Sequence, residues 1–136
     1  ARADAAAGRV VFEKTCAKCH KYFGKGGTIG PDITGSQRKN VDYLLENLID
    51  PSAAVSKDFQ MEILVTESGR VITGLIVDEN NKAVTIQTVN EKIVLPTNEI
   101  ETRAKSKVSM MPEGMLKPLS VEDVRNLFAY LWSSGL

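Results

Sequence analysis

The chain has two cysteines and one histidine in 136 residues, and all three fall in one five-residue run, Cys16-Ala17-Lys18-Cys19-His20. C-x-x-C-H is the attachment signature of a c-type haem. The chemistry accounts for the spacing. Two thiols add to the two vinyl groups of one porphyrin and become thioethers. The two-residue gap lets one helical turn present both sulfurs to one macrocycle edge. The histidine beside the second cysteine is carried under the ring, where its Nε2 can bind iron. Other uses fit less well. A structural zinc site needs four ligands, and this run offers three. A thioredoxin-like C-x-x-C follows a βαβ pattern, and only 15 residues precede Cys16. Cysteines held as thioethers form no disulfide.

With His20 on iron no second histidine exists, so bis-histidine ligation within the chain is excluded. The sixth ligand is then a methionine, a lysine, the N-terminal amine, an outside ligand or nothing. Of the four methionines, Met61 falls in a strand pattern and reads as core. The other three share one loop, Ser109-Met110-Met111-Pro112-Glu113-Gly114-Met115. Pro112 restricts Met111 to extended geometry and removes a backbone donor. A stiff Met-Pro loop can hold a thioether against iron at little entropic cost. Methionine opposite histidine raises the reduction potential, which suits electron transfer. Met111 is the expected ligand. Met110 and Met115 are the alternatives, and methionines that do not ligate fill the crevice.

Helices and strands must position these groups. Asp4 can cap a first helix running to about residue 18, with Gly8 and Phe12 on one face. Gly8 allows another helix to approach closely, and the last helix is the expected partner. That helix opens at Ser120-Val121-Glu122-Asp123, near a capping box, and carries Val124, Leu127, Phe128 and Leu131 at helical spacing, with Gly135 just past its end. Asn40 can cap a short helix over 41–49 bearing Tyr43, Leu44, Leu48 and Ile49, ended by Asp50-Pro51. Residues 21–36, rich in Gly and Lys, read as loop. Between these helices the period changes. Phe59, Met61, Ile63 and Val65 alternate with more polar neighbours, as do Val71, Thr73, Leu75 and Val77, then Val84, Ile86 and Thr88, with Ile93-Val94-Leu95 after a turn. This predicts an antiparallel meander of three to five strands, inserted over 58–103 and packed on the helices. The expected class is a mainly α fold with an inserted β meander, α+β overall, in one domain spanning 1–136.

Composition excludes several function classes. The apolar share is 43% and the charged share 25%, ordinary for a soluble globular protein. No apolar run approaches the roughly 18–20 residues of a membrane span. Seventeen basic and seventeen acidic residues leave no surplus for nucleic acid. The balance hides a split: residues 58–103 hold eight acids and four bases, and the remainder nine acids and thirteen bases. Lys14, Lys18, Lys21 and Lys25 flank the attachment run, and Lys105 and Lys107 precede the methionine loop. Placed near a haem edge, they could steer an acidic redox partner. The start, ARADAAAGR, has no initiator Met and no apolar signal core, so it reads as a processed end or a cut from a longer protein.

Gly8-x-x-x-Phe12, Cys16–His20, Gly30-Pro31-Asp32-Ile33-Thr34-Gly35, Met111-Pro112 and a last helix with Leu127, Tyr130 and Leu131 together resemble class I cytochrome c. More narrowly, GRVVFEKTCAKCH, GPDITG, LLENLIDPSA, GRVITGLI and SMMPEGM resemble the haem-binding domain of the Pirellula/Verrucomicrobium type, over about residues 8–133. The resemblance implies crossing terminal helices, a haem crevice, and a Pro31 carbonyl near the Nδ1–H of His20. A bond of that kind orients the imidazole and raises its basicity. In many such proteins this domain is the C-terminal piece of a larger protein with dehydrogenase-like modules.

The expected function is a monohaem electron carrier, free or as the electron-accepting domain of a larger dehydrogenase, and not an enzyme. A donor dehydrogenase or an acceptor oxidase or cytochrome is the expected partner. The competing reading is a gas sensor or peroxidase with a labile sixth ligand. That class wants distal polar groups for acid–base work, and Arg38 and Arg103 are the candidates. A third is an interaction module in which haem is a staple and the strands bind a partner. Covalent haem attachment on the outer side of the bacterial inner membrane points to the periplasm, alone or within a larger membrane-associated protein. Haem supplies much of the core, so the apoprotein is expected to fold poorly.

Overall fold

The computed structural model describes residues 2–134. They form three helices, α1 (Ala5–Thr15), α2 (Val41–Ile49) and α3 (Val121–Trp132). A two-stranded hairpin, β1 (Lys21–Tyr22) and β2 (Lys25–Gly26), follows α1, and five strands lie between α2 and α3. These are β3 (Glu62–Thr66), β4 (Val71–Glu79), β5 (Ala83–Gln87), β6 (Lys92–Pro96) and β7 (Ile100–Lys105). The class is α+β. The chain divides into two compact units, one of residues 1–54 with 111–136 and one of residues 55–110.

In the first unit each helix starts at a side chain that satisfies its open N–H groups. Asp4 Oδ1 accepts from the N–H of Ala6 and of Ala7. Asn40 Oδ1 accepts from Tyr43. Ser120 and Asp123 form a reciprocal capping box. α1 ends at Thr15 rather than near residue 18, and Cys16 is its C-cap. The attachment run is thereby released from the helix into a turn of its own.

Gly8 is where α1 meets α3. A Cβ there would fall onto the Asn126 carbonyl and the Tyr130 Cβ, so only glycine permits this approach. Asn126, buried on α3, accepts from the Asp4 N–H through Oδ1 at 2.8 Å and so ties the start of α1 to the same crossing. Around it lie Phe12, Tyr22, Leu44, Leu48, Leu127, Tyr130 and Leu131. The Phe12 ring sits 5.5 Å from those of Tyr22 and Tyr130, and Tyr22 meets Tyr130 edge-on. Leu44 and Leu48 are the buried stripe of α2. Ile49, expected beside them, is 60% exposed because it lies one residue off that stripe. Gly135, expected just past α3, lies outside the described residues.

In the second unit the strand order is β6-β5-β4-β3-β7, antiparallel throughout. Four strands form a meander. After one turn of 3-10 helix over Thr97–Glu99, β7 returns to pair with β3 at the far side. The unit has its own core of Leu64, Ile72, Val84, Ile86 and Leu95. Here one expectation is corrected. The alternation read through Phe59, Met61, Ile63 and Val65 and through Val71, Thr73, Leu75 and Val77 does not follow the face that forms this core: Met61 and Leu75 are buried but outside it, and Val71 and Val77 are exposed. Leu64 is fully buried, whereas Val71 is 64% exposed. Side chains alternate with period two, so one step selects the other face, and both faces of these strands carry aliphatic residues. Register shifts between Val65 and Thr66 and between Ile76 and Asp78 break the simple count further.

Candidate functional site

The site grows out of the turn that follows α1. Cys16 O accepts from the N–H of Cys19 at 3.2 Å and of His20 at 3.0 Å, closing one tight turn over the attachment run. Cys16, Cys19 and His20 are all half-buried, and neither thiol is in a disulfide. Burial, and then the neighbouring Cys19, push the Cys16 thiol up to about 11. It is a neutral thiol at physiological pH, unlike the low-pKa thiolates of thiol–disulfide enzymes. Among the described residues no three or more His, Cys, Asp or Glu side chains gather where they could hold a metal ion. The cysteine–histidine run is therefore not arranged as a bare-metal cage.

The loop after the turn is shaped to the run's backbone. Gly26 lies against the carbonyls of His20 and Ala17, and Gly27 against that of Lys18, so that a Cβ at either would strike a carbonyl oxygen. The Gly27 N–H donates to Ala17 O at 2.8 Å and the Gly30 N–H to Cys19 O at 2.7 Å. Gly30 lies against the imidazole: a Cβ there would sit 2.8 Å from His20 Cε1 and 3.1 Å from Nδ1. Read from sequence as generic loop residues, these glycines clear the space that the run occupies. Their signal was their number within ten residues of His20.

His20 Nδ1 lies 2.8 Å from Pro31 O. A carbonyl only accepts, so Nδ1 carries a proton here, and in the neutral ring the lone pair is on Nε2. Pro31 is held in turn. Ile33 N–H donates to Lys21 O at 3.0 Å, Thr34 N–H to Asp32 Oδ1 at 2.9 Å, and Phe23 N–H to Thr34 Oγ1 at 2.8 Å. The Thr34 hydroxyl and N–H hold the Asp32 carboxyl below its usual range.

The methionines separate by unit. Met61 is buried in residues 55–110, and Met110 is the last residue of that unit. Met111 and Met115 belong to the unit that holds Cys16–His20. Met111 is half-buried and packs against the same apolar cluster as Cys16, Ala17, Ile33, Tyr43, Leu116, Leu119 and Phe128. Lys14, Lys18 and Lys25 are exposed and Lys21 half-buried in this unit, whereas Lys105 and Lys107 belong to the other. Counted by these units the charge split nearly vanishes: residues 55–110 hold eight acids and seven bases.

Both arginines considered for acid–base work are engaged. Arg103 on β7 forms a fork with Glu62 of β3 and Glu79 of β4, at 2.6–3.3 Å. This holds the Glu79 carboxyl below its usual value. Arg38 donates from Nε to Thr34 O and from Nη1 to Tyr22 Oη, Leu131 O and Ser133 O. Sequence reading missed this role because two of the acceptor carbonyls, those of Leu131 and Ser133, lie more than ninety positions away.

The residues present fit a covalently held haem. Two thiols and one histidine share a single turn, the Pro31 carbonyl fixes one imidazole nitrogen, and Cys16 and Met111 pack against one apolar cluster. Residues 3–60 match the family model described as Cytochrome C oxidase, cbb3-type, subunit III. The matched stretch contains the attachment run, Pro31 and α2, and stops before β3. It makes this part of the chain similar to a c-type cytochrome domain, a class that carries covalent haem and transfers electrons. A search of curated proteins finds no match. No helix among the described residues is long and apolar enough to cross a membrane.

Proposed function

We propose that the chain is a monohaem c-type cytochrome that passes single electrons, with the haem tethered by Cys16 and Cys19 and its iron ligated by His20 and Met111. The observation that carries this reading is the 2.8 Å contact of His20 Nδ1 with Pro31 O, which leaves Nε2 as a preset donor. When bound, the haem supplies a one-electron Fe(III)/Fe(II) couple. The chain's own residues do the rest. Cys16 and Cys19 hold one edge, the Pro31 carbonyl fixes the imidazole and raises its basicity, and Gly30 keeps the ring's flank clear. Met111, packed against the same apolar cluster as Cys16, would supply a thioether that favours the reduced state.

Transfer of an electron then requires no proton relay, in keeping with the engagement of Arg38 and Arg103 by structural partners. The periplasm is the compartment of covalent haem attachment, and a donor dehydrogenase or acceptor oxidase is the partner class. The strand unit extends the resemblance to the Pirellula/Verrucomicrobium-type domain, in which such a module accepts electrons within a larger protein. The test is co-expression with a c-type maturation system, followed by intact mass and denaturing electrophoresis. One haem per chain, retained after denaturation and lost in Cys16→Ser/Cys19→Ser, is expected. An unmodified wild type with both thiols open to alkylation contradicts the reading.

A further inference from the structure

Arg38 sits where three segments of the first unit meet. Its Nε donates to Thr34 O at 2.9 Å, in the loop that carries Pro31. Its Nη1 lies 2.5 Å from Leu131 O and 2.7 Å from Ser133 O, at the end of α3. The same nitrogen lies 2.8 Å from Tyr22 Oη, two residues beyond His20. The guanidinium also covers the rings of Tyr22 and Phe23, at 5.1 Å and 5.2 Å from their centroids. The Tyr22 hydroxyl, buried, is 3.0–3.3 Å from the carbonyls of Tyr130, Leu131 and Ser133.

The last carbonyls of a helix lack partners in the helix and concentrate its negative end. A cation and a phenol placed there satisfy them together. The unusual part is the other side of the same guanidinium. Thr34 is three residues from Pro31, and the intervening chain is stitched to residues 21–23 by Ile33 N–H and Thr34 Oγ1. A displacement of Thr34 is therefore a displacement of the carbonyl that holds His20.

We propose that Arg38 is a positioning residue for the histidine side of the site: clasped with Tyr22 onto the end of α3, it holds the loop whose Pro31 carbonyl fixes the His20 ring. This rests on the function proposed above. A planar fork is required, because one group must reach Thr34 O from Nε and the helix carbonyls from Nη1 while lying on two rings. Lysine, a point charge on a flexible stem, reproduces neither the second direction nor the stacking.

The test uses the haem-loaded, ferrous protein and reads the His20 Nδ1 proton by NMR. In Arg38→Gln its exchange with solvent speeds up about tenfold and its resonance moves upfield, because a bond of ordinary strength no longer holds the loop. Arg38→Lys does not restore it. Tyr22→Phe removes one hydroxyl, keeps the ring, and shows a smaller change of the same sign, so it carries the test alone if Arg38→Gln loses haem. Asp4→Ala, which weakens α1 at its far end, leaves the His20 proton unchanged. If the Arg38 and Tyr22 variants melt earlier with wild-type exchange and shift at His20, Arg38 is only a staple for α3 and the proposal is overturned. Failure of the wild type to attach haem overturns the function itself and is distinct from this outcome.

Discussion

His20 has a protonated Nδ1 because a carbonyl faces it, and the position of that carbonyl depends on Gly30 and Pro31 in the loop that follows. Gly30→Ala puts a methyl 2.8 Å from Cε1, closer than a real contact allows, so the ring or the loop must move. The expected loss is about 1–3 kcal/mol, the range for overpacking a filled site. A lower melting temperature and a lower yield of attached haem would be seen in parallel. A variant as stable and as well loaded as wild type would show that the loop yields freely. At this scale the turn over Cys16–His20 was legible in the sequence as a local arrangement of distinctive residue types, and the Pro31 carbonyl beside His20 was implied by the family resemblance. The roles of Gly26, Gly27 and Arg38 were not. They depend on backbone carbonyls that the fold brings near, and a carbonyl has no sequence identity.

Among the elements, caps and helix faces were the most readable. Asp4, Asn40 and Ser120 cap the helices expected of them, since a short polar side chain before an apolar stripe states its geometry locally. The α1–α3 crossing was legible through Gly8 alone. Gly8→Ala drives a Cβ into the Asn126 carbonyl and forces the helices apart, and calorimetry should show a loss of at least about 1–3 kcal/mol. The sheet's buried face was readable on β5, through Val84 and Ile86, but not on β3 and β4, which carry aliphatic residues on both sides. Leu64→Ala therefore costs about 2–5 kcal/mol, as for a fully buried leucine, while Val71→Ala stays near neutral in the same melt. Equal losses would mean that the faces are misassigned.

The Arg103 fork gives the sheet a pH dependence of known sign. Glu79 titrates below its ordinary 4.5 because Arg103 donates to its charged form. A carboxyl depressed in the folded state contributes stability above its unfolded value and loses it as pH falls through the folded one. The strands should therefore weaken on acidification below 4.5. An NMR titration of the Glu79 carboxyl would place its midpoint under 4.5 in wild type and return it toward 4.5 in Arg103→Gln. Identical midpoints would remove Arg103 as the cause.

Across the whole molecule, two units with separate cores divide the labour. Cys16, Cys19, His20, Pro31 and Met111 all lie in the unit of residues 1–54 and 111–136, so residues 55–110 supply none of the five. That strand unit has five antiparallel strands and a closed set of apolar side chains, enough for independent structure. Expressed alone, residues 55–110 should give a cooperative thermal transition by circular dichroism; a featureless curve would show that their core needs the rest of the chain. The apparent charge split, clear when the segment is cut at 58 and 103, fades once Lys57, Lys105 and Lys107 are counted with their unit. Composition by sequence window thus overstated a polarity that the folded units do not carry.

The most direct measurement compares optical and EPR spectra of the ferric and ferrous protein, as wild type and as Met111→Ala. A low-spin wild type with the weak far-red band of iron–thioether ligation is expected, with loss of that band in the variant while the haem stays attached. A high-spin wild type that binds carbon monoxide readily would contradict His20/Met111 ligation and the electron-carrier function built on it. An unchanged variant would contradict the assignment of Met111.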